Sequence, residues 1–276
     1  MTETLPRMIS RKAAGQPDRV ALRYKRDGCY RDIAWQEMAA QILHFGQALV
    51  AMGLQTGDRV AIMAPNSPEW VYADLGIMSA GGVTVPVYQT ESVPNLLKIL
   101  GDSRCRFLFL HSPFRDRSLV EKLDQLPALE KVILFRGQRD DRRFLSLHDF
   151  LEIAGEEHAA ILAERLAAGV ATDMATLVYT SGTTGRHKGV MLTHANIQAS
   201  IAAAIKLFDV GPQDTCLSFL PLSHVLERVD GYYLMLHQGA VIAYAESIDT
   251  LPLNLVEVKP TVVIAVPRLF EKMHDR

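Results

Sequence analysis

The chain has 276 residues, 49% hydrophobic and 22% charged, a balance that belongs to soluble globular proteins and excludes a disordered chain or a disulfide-stapled miniature. With 29 Lys and Arg against 31 Asp and Glu, the net charge is −2, so no global basic field gathers nucleic acid and any polyanion has to be held locally. Cys29, Cys105 and Cys216 lie far apart without a CxxC pair, which suits a reducing compartment and buried thiols.

The amino terminus lacks the apolar run of a signal peptide. The longest nearly uncharged apolar stretch, 75–90, contains two adjacent glycines and Pro86, so a cytoplasmic protein without a spanning helix is expected. In chain order, Trp35, Met38, Ile42, Leu49 and Val50 recur at helical spacing and Gly53 comes where that helix stops. A short strand at 60–63 comes next, then Asn66, Ser67 and Pro68 as a helix start, then a β-rich run at 83–88. The pattern continues with a strand at 107–110, a helix at 113–126, a strand at 132–135 and a polar loop at 137–143. An amphipathic stretch covers 147–166.

A strand at 175–179, a glycine-rich loop at 180–189 and a helix opening near Thr193 or His194 form the next unit, an order in which α/β folds place ligands. Beyond it the expectation is a strand at 215–220, a helix at 223–237, a strand at 240–244, a helix at 253–258 and a strand at 261–266. Short continuous apolar strands between helices indicate an α/β class with layered, mostly parallel sheets flanked by helices. No internal repeat is visible, and a seam between subdomains is placed near 155–172, where the chain is polar and alanine-rich.

The chemistry sits in the loop. From Tyr179 to Val190 the sequence YTSGTTGRHKGV packs hydroxyls, glycines and one lysine behind a buried strand. Glycines let backbone N–H groups curl around an anion, hydroxyls donate without bulk, and a lysine supplies a point charge. A hydroxyl oxygen also suits magnesium, which bridges protein and nucleotide phosphates. A Walker A loop needs Gly-Lys followed by Ser or Thr, whereas here Lys188 stands between His187 and Gly189; a GxGxxG fingerprint is also missing. A P-loop kinase or NTPase is therefore disfavoured.

Thr180 to Gly185 together with Lys188-Gly189-Val190 resembles the phosphate loop of the AMP-forming, adenylate-forming ligases, the superfamily of acyl-CoA synthetases, luciferases and peptide-synthetase adenylation domains. The run from Leu192 to Asn196 is similar to the segment on the C-terminal side of that loop in the family. Leu220 to Val229, containing His224-Val225-Leu226-Glu227-Arg228, resembles the next motif of long-chain fatty-acid-CoA ligases. Gly57 to Ala61, Asn66 to Trp70 and Val266 to Lys272 fit as well, so the resemblance spans nearly the whole chain.

The resemblance implies that Thr180, Ser181, Gly182, Thr183, Thr184, Gly185 and Lys188 hold the β- and γ-phosphates of ATP. It also implies Thr180 as a magnesium ligand and His224 as a catalytic residue near the acyl carboxylate and the nucleotide. Glu227 and Arg228, one turn on, read as a structural ion pair or helix caps. The implied activity is activation of a fatty acid to acyl-AMP and then, with coenzyme A, to the thioester. Amino-acid activation would need a buried carboxylate for the substrate ammonium, and none is assignable in the pocket segment.

His187 departs from the family, which usually has proline there; a histidine loosens the loop and adds a titratable donor. The family's later motifs have no counterpart before Arg276, so residues 1–276 correspond to a partial AMP-binding N-terminal domain. Its expected partners are a fatty acid, ATP and coenzyme A, with no nucleic acid, with peripheral membrane contact allowed, and with a complementing C-terminal half. The alternative is a non-catalytic nucleotide- or acyl-binding fragment, or one half of a split enzyme.

Overall fold

The structure is a computed structural model that describes residues 3–112, 117–181 and 187–267. It opens with three elements that hydrophobic periodicity does not announce: a helix, α1 (Leu5–Gly15), and a hairpin of β1 (Val20–Arg26) and β2 (Cys29–Ala34). The hairpin turn is made by Asp27 and Gly28, both left-handed at φ 52° and 77°. Two consecutive positive φ values are what a tight turn between right-twisted strands demands, and Asp-Gly meets that demand cheaply. The exposed Cys29 begins β2, whereas Cys105 and Cys216 are buried as expected.

The helix expected from Trp35 onward forms as α2 (Trp35–Ala51), burying Trp35, Met38, Ile42, Phe45 and Leu49. After β3 (Arg59–Met63), Ser67 Oγ accepts the Trp70 N–H at 3.3 Å and starts α3 (Pro68–Ser79), with proline where its missing N–H costs nothing. Every α3 residue from Trp70 to Ser79 is buried. It crosses α2 so closely that a Cβ on Gly76 would stand 2.8 Å from Phe45 Cβ and 3.1 Å from the Gly46 nitrogen. Next in the chain are β4 (Val83–Pro86), α4 (Val93–Ser103) and β5 (Phe107–Leu110).

The structure departs from the expected helix over 113–126. Residues 113–116 lie outside the described residues. The rest is a single turn, α5 (Arg117–Val120), and a 3-10 turn, Leu123–Gln125. Leu119, Leu123 and Leu126 are all buried, so their helical spacing is genuine. Lys122, at φ −110°, breaks the winding between the two turns, and short 3-10 turns then suffice to seat the leucines.

After β6 (Lys131–Leu134), residues 137–143 form the expected loop, and a short strand that the sequence did not announce, β7 (Phe144–Ser146), comes directly after it. The amphipathic stretch over 147–166 is two helices, α6 (Leu147–Glu152) and α7 (Glu156–Ala168), separated at Gly155, whose extended backbone cannot continue a helix. Within α7, the Arg165 guanidinium donates to the carbonyls of Leu54 and Ala80 at 2.6 and 3.1 Å.

The remaining elements are β8 (Met174–Ser181), β9 (His187–Thr193), α8 (His194–Ala204), β10 (Thr215–Ser218), α9, a helix over 225–238, β11 (Val241–Tyr244) and α10 (Leu251–Val258). Seven strands pair in the order β7-β6-β5-β3-β4-β8-β9, all parallel except β8 with β9. Four pair as β10-β11-β1-β2, with the last pair antiparallel. Each sheet takes strands from both sides of residues 155–172. The strand expected at 261–266 contributes one bridge, Val262 to Cys216, rather than a ladder. Among the described residues no helix is long and apolar enough to cross a membrane.

Candidate functional site

The glycine-rich loop joins two strands, not a strand and a helix. β8 and β9 form an antiparallel hairpin in which Thr180 faces Lys188 and Tyr179 faces Gly189. The helix does open at His194, with Thr193 Oγ1 accepting the Asn196 N–H at 3.2 Å and the Asn196 side chain returning to the Thr193 N–H at 3.0 Å. That helix start lies at the far end of β9, seven residues of strand away from the loop. A helix dipole acts over about one turn, so the start of α8 is out of reach of the loop. The β-favouring run Val190-Met191-Leu192-Thr193 explains why this segment is extended.

Facing residues of an antiparallel pair project to the same side. The exposed Thr180 hydroxyl and Lys188 ammonium therefore flank the mouth of the loop together. Gly189 is required by its neighbours, since a Cβ there would lie 2.9 Å from Leu177 Cδ1 and 3.1 Å from Tyr179 Cζ. The Tyr179 ring crosses this gap, and its hydroxyl donates to Asp102 Oδ2 at 2.5 Å. Burial first, and this bond second, push the phenol above its ordinary range. Gly182, Thr183, Thr184 and Gly185 lie outside the described residues, as do the side chains of Ser181 and His187.

A cavity of about 340 Å³ opens where β4 and β8 end, lined by Tyr88, Glu91, Tyr179, Thr180, Ser223 and His224 among others. The C-terminal edge of parallel strands is where α/β sheets bind ligands. Thr180 and His224, some 44 positions apart in sequence numbering, share this cavity. The His224 carbonyl accepts the Arg228 N–H at 3.0 Å and its Nδ1 accepts the Leu226 N–H at 3.2 Å, so the residue caps the adjoining helix α9. With Nδ1 used as acceptor, the neutral ring carries its proton on Nε2, free to donate. The Tyr88 ring packs against it edge to face, with centroids 6.4 Å apart. Tyr88 and Glu91 carry no motif-like signal and become neighbours of the loop only through the fold.

Glu227 and Arg228 do not pair with each other, as the sequence suggested. Helix α9 is wound as a π-helix across Glu227–Tyr233, which sets residue i+5 above residue i. Arg228 Nε accordingly reaches the Tyr233 hydroxyl at 3.1 Å, while Nη1 donates to Thr176 Oγ1 at 2.6 Å and Nη2 to the Asp74 carboxylate. The Tyr233 hydroxyl donates to the other Asp74 oxygen at 2.6 Å, and the Thr176 hydroxyl donates to the Thr84 carbonyl at 2.7 Å. The guanidinium lies 5.4 Å from the Trp70 ring centroid, a favourable cation-π distance. This wholly buried joint ties α3, β4 and β8, the strand leading to the loop, to the helix that begins beside His224.

Glu227 is fully buried without a cation. Its Oε1 accepts from Ser218 Oγ at 2.6 Å, and its Oε2 has no hydrogen-bond partner among the described residues. Burial pushes this carboxyl up to about 8, against the Ser218 hydrogen bond and with some help from Asp230. The pocket segment thus does contain a buried carboxyl, contrary to the sequence reading. It faces Ser218 and Gly231 rather than the cavity lining. A second buried titratable group, His194, accepts the Leu5 N–H on Nδ1 at 3.2 Å, and burial lowers it to about 4.

The sequence profile of the AMP-binding enzyme family matches residues 9–276. The chain belongs to that family. It is 35% identical over 270 residues to the long-chain-fatty-acid–CoA ligase FadD15 of Mycobacterium bovis, an alignment covering 97% of this chain and 44% of that protein. The fold is that of AMP-binding enzymes of known structure. An anthranilate CoA ligase, AuaEII, in complex with anthranoyl-AMP superposes with a TM-score of 0.86 at 21% identity, over 98% of this chain and 51% of that one. The N-terminal domain of FACL13 from Mycobacterium tuberculosis gives 0.77 at 22% identity, over 99% and 65%. The chain therefore spans less than half the length of the ligase it matches in sequence.

Proposed function

We propose that this chain is the phosphate-holding part of an AMP-forming acyl-CoA ligase whose substrates are ATP, a long-chain fatty acid and coenzyme A. Family membership and the name of the FadD15 relative support the ligase class; the observation that carries the site is Thr180, which faces Lys188 across the hairpin and lines a cavity together with His224. In the reaction, a carboxylate oxygen attacks the α-phosphorus of ATP, forming acyl-AMP as the bond to pyrophosphate breaks. The coenzyme A thiol then displaces AMP to form the thioester. Lys188 and the loop from Thr180 to Gly185 hold the leaving pyrophosphate, where charge develops. His224, fixed by its cap to the Leu226 N–H, offers Nε2–H to an oxygen of the carboxylate or the α-phosphate.

Magnesium fits this site as an ion carried by the nucleotide. Among the described residues no cluster of three His, Cys, Asp or Glu side chains exists to cage one, and the ion characteristically binds through phosphates, waters and one or two protein oxygens. Thr180 Oγ1 would supply a protein oxygen, and the ion would neutralise phosphate charge. The proposal extends to residues 1–276 as a partial AMP-binding N-terminal domain with a seam near 155–172, to cytoplasmic residence, and to a complementing C-terminal half.

The test is ATP–pyrophosphate exchange with palmitate, run on the chain alone and after adding the remaining length of a matched ligase. Palmitate-dependent exchange in either form supports the proposal, and the proposal expects it on complementation. Tight ATP binding with no exchange in either form would replace it with a binding role.

A further inference from the structure

Asn66 stands in the turn between β3 and α3, outside the cavity lining, yet its amide holds the chain that leads to His224. Nδ2 donates to the Leu220 carbonyl at 2.7 Å and to Ser218 Oγ at 3.0 Å, while Oδ1 accepts the Leu222 N–H at 3.0 Å. Backbone groups fix this orientation. A flipped amide would press its oxygen against the Leu220 carbonyl and its NH2 against the Leu222 N–H. Ser218 continues the line, since its hydroxyl accepts from Asn66 and donates to Glu227 Oε1.

The connection from 219 to 224 contains Pro221 and no regular structure, so its backbone groups need partners from elsewhere. It is anchored by β10 at its start, by Asn66 in its middle, and by Glu227 just beyond its end. The local task of starting α3 falls to Ser67, which caps the helix. Nothing in that helix start calls for Asn66, whose three partners all lie about 150 residues away.

We propose that Asn66 is a positioning residue for His224: by clamping residues 218–222 to the β3–α3 turn of the seven-stranded sheet, it sets where the imidazole stands relative to Thr180. The proposal rests on the reading of His224 as part of the site, and it adds the device that carries the ring there. It explains why an asparagine is needed, because the position must donate to one backbone group and accept from another two residues on. An aspartate keeps only the acceptor, and an alanine keeps neither.

The experiment follows histidine ring signals and backbone amide exchange by NMR in the full 276-residue chain, with His224 assigned from its loss in His224→Gln. In Asn66→Ala, the His224 ring signals should shift or broaden while those of His194 and His237 stay in place. Exchange at the Leu222 amide should rise about tenfold, the equivalent of one net hydrogen bond. Asn66→Asp should disturb His224 while sparing more of the Leu222 protection, because its oxygen still accepts. Ser218→Ala should shift His224 in the same direction and by less, and it decides the question if Asn66→Ala does not fold. Unchanged His224 signals and unchanged Leu222 exchange in folded protein would overturn the proposal, as would equal movement of all three histidines. These readouts require no nucleotide, so a failure to bind ATP would count against the proposed function and leave the clamp decided on its own result.

Discussion

The mouth of the β8–β9 hairpin and the joint around Arg228 both place a cation beside hydroxyl groups, and they use it in opposite ways. At the hairpin, Lys188 and Thr180 are exposed, and the proposed function directs their charge and hydrogen bonds to phosphate. At the joint, Arg228 is 2% exposed and Asp74 0%, with Tyr233 and Thr176 completing its donors and acceptors. On that proposal one cation is answered from outside the protein, whereas the other is answered from within. Substitutions of the exposed Lys188 or Thr180 side chains should therefore change binding and leave stability alone, and substitutions at the joint should do the reverse.

The largest expected effect is at the joint. Arg228→Met or Asp74→Asn alone strands a buried charge or its hydrogen bonds and should cost about 3–5 kcal/mol in a denaturant titration. The double substitution Asp74→Leu with Arg228→Met should recover much of that loss, since neither charge then needs a partner. Single variants with wild-type stability would erase the contrast between the two regions.

Next comes the pH dependence set by Glu227. Its folded pKa of about 8 lies above the ordinary carboxylate value. The unfolded chain therefore ionises first, and stability should fall as pH rises from about 4.5 towards 8, with the slope of one proton. Glu227→Gln mimics the neutral acid and should flatten that interval. His194 bounds the acid side. Lowered from 6.5 to about 4, it stays neutral in the folded protein, so stability present above pH 6.5 should fall as pH drops through 6.5 to 4. Melting temperatures of wild type and Glu227→Gln across this range check both signs.

A smaller effect is expected at the hairpin itself. Gly189→Ala places a methyl group against Leu177 and Tyr179, and overpacking of this kind costs about 1–3 kcal/mol. The flexible Leu177 side chain gives way more easily than Tyr179, which is tied to Asp102, so the low end is expected in thermal unfolding.

The same contrast explains what the sequence made legible. The loop can be read because its hydroxyls, glycines and Lys188 are neighbours in the chain. Helix starts at Ser67 and Thr193 are equally local. That the loop ends in a strand escapes such a reading because glycine-rich phosphate loops commonly precede helices, and only the pairing of β9 with β8 distinguishes the two. The β1–β2 hairpin has a local signal in Asp27-Gly28 that hydrophobic periodicity passes over. The partners of Arg228 and Asn66 have none, since Asp74 and Leu220 lie 154 residues from them. The misassigned Glu227–Arg228 pair shows the limit: neighbouring opposite charges suggest each other, and a π-wound helix sends them to different partners.

The central claim is that Lys188, facing Thr180, holds phosphate charge supplied from outside. It is tested most directly by calorimetric titration of magnesium-ATP into wild type and Lys188→Ala, with melting curves on the same samples. The account predicts affinity lower by about tenfold to a hundredfold, the range of one charge-assisted hydrogen bond, with an unchanged melting temperature, as expected for an exposed side chain. Equal affinity in the two proteins would contradict it.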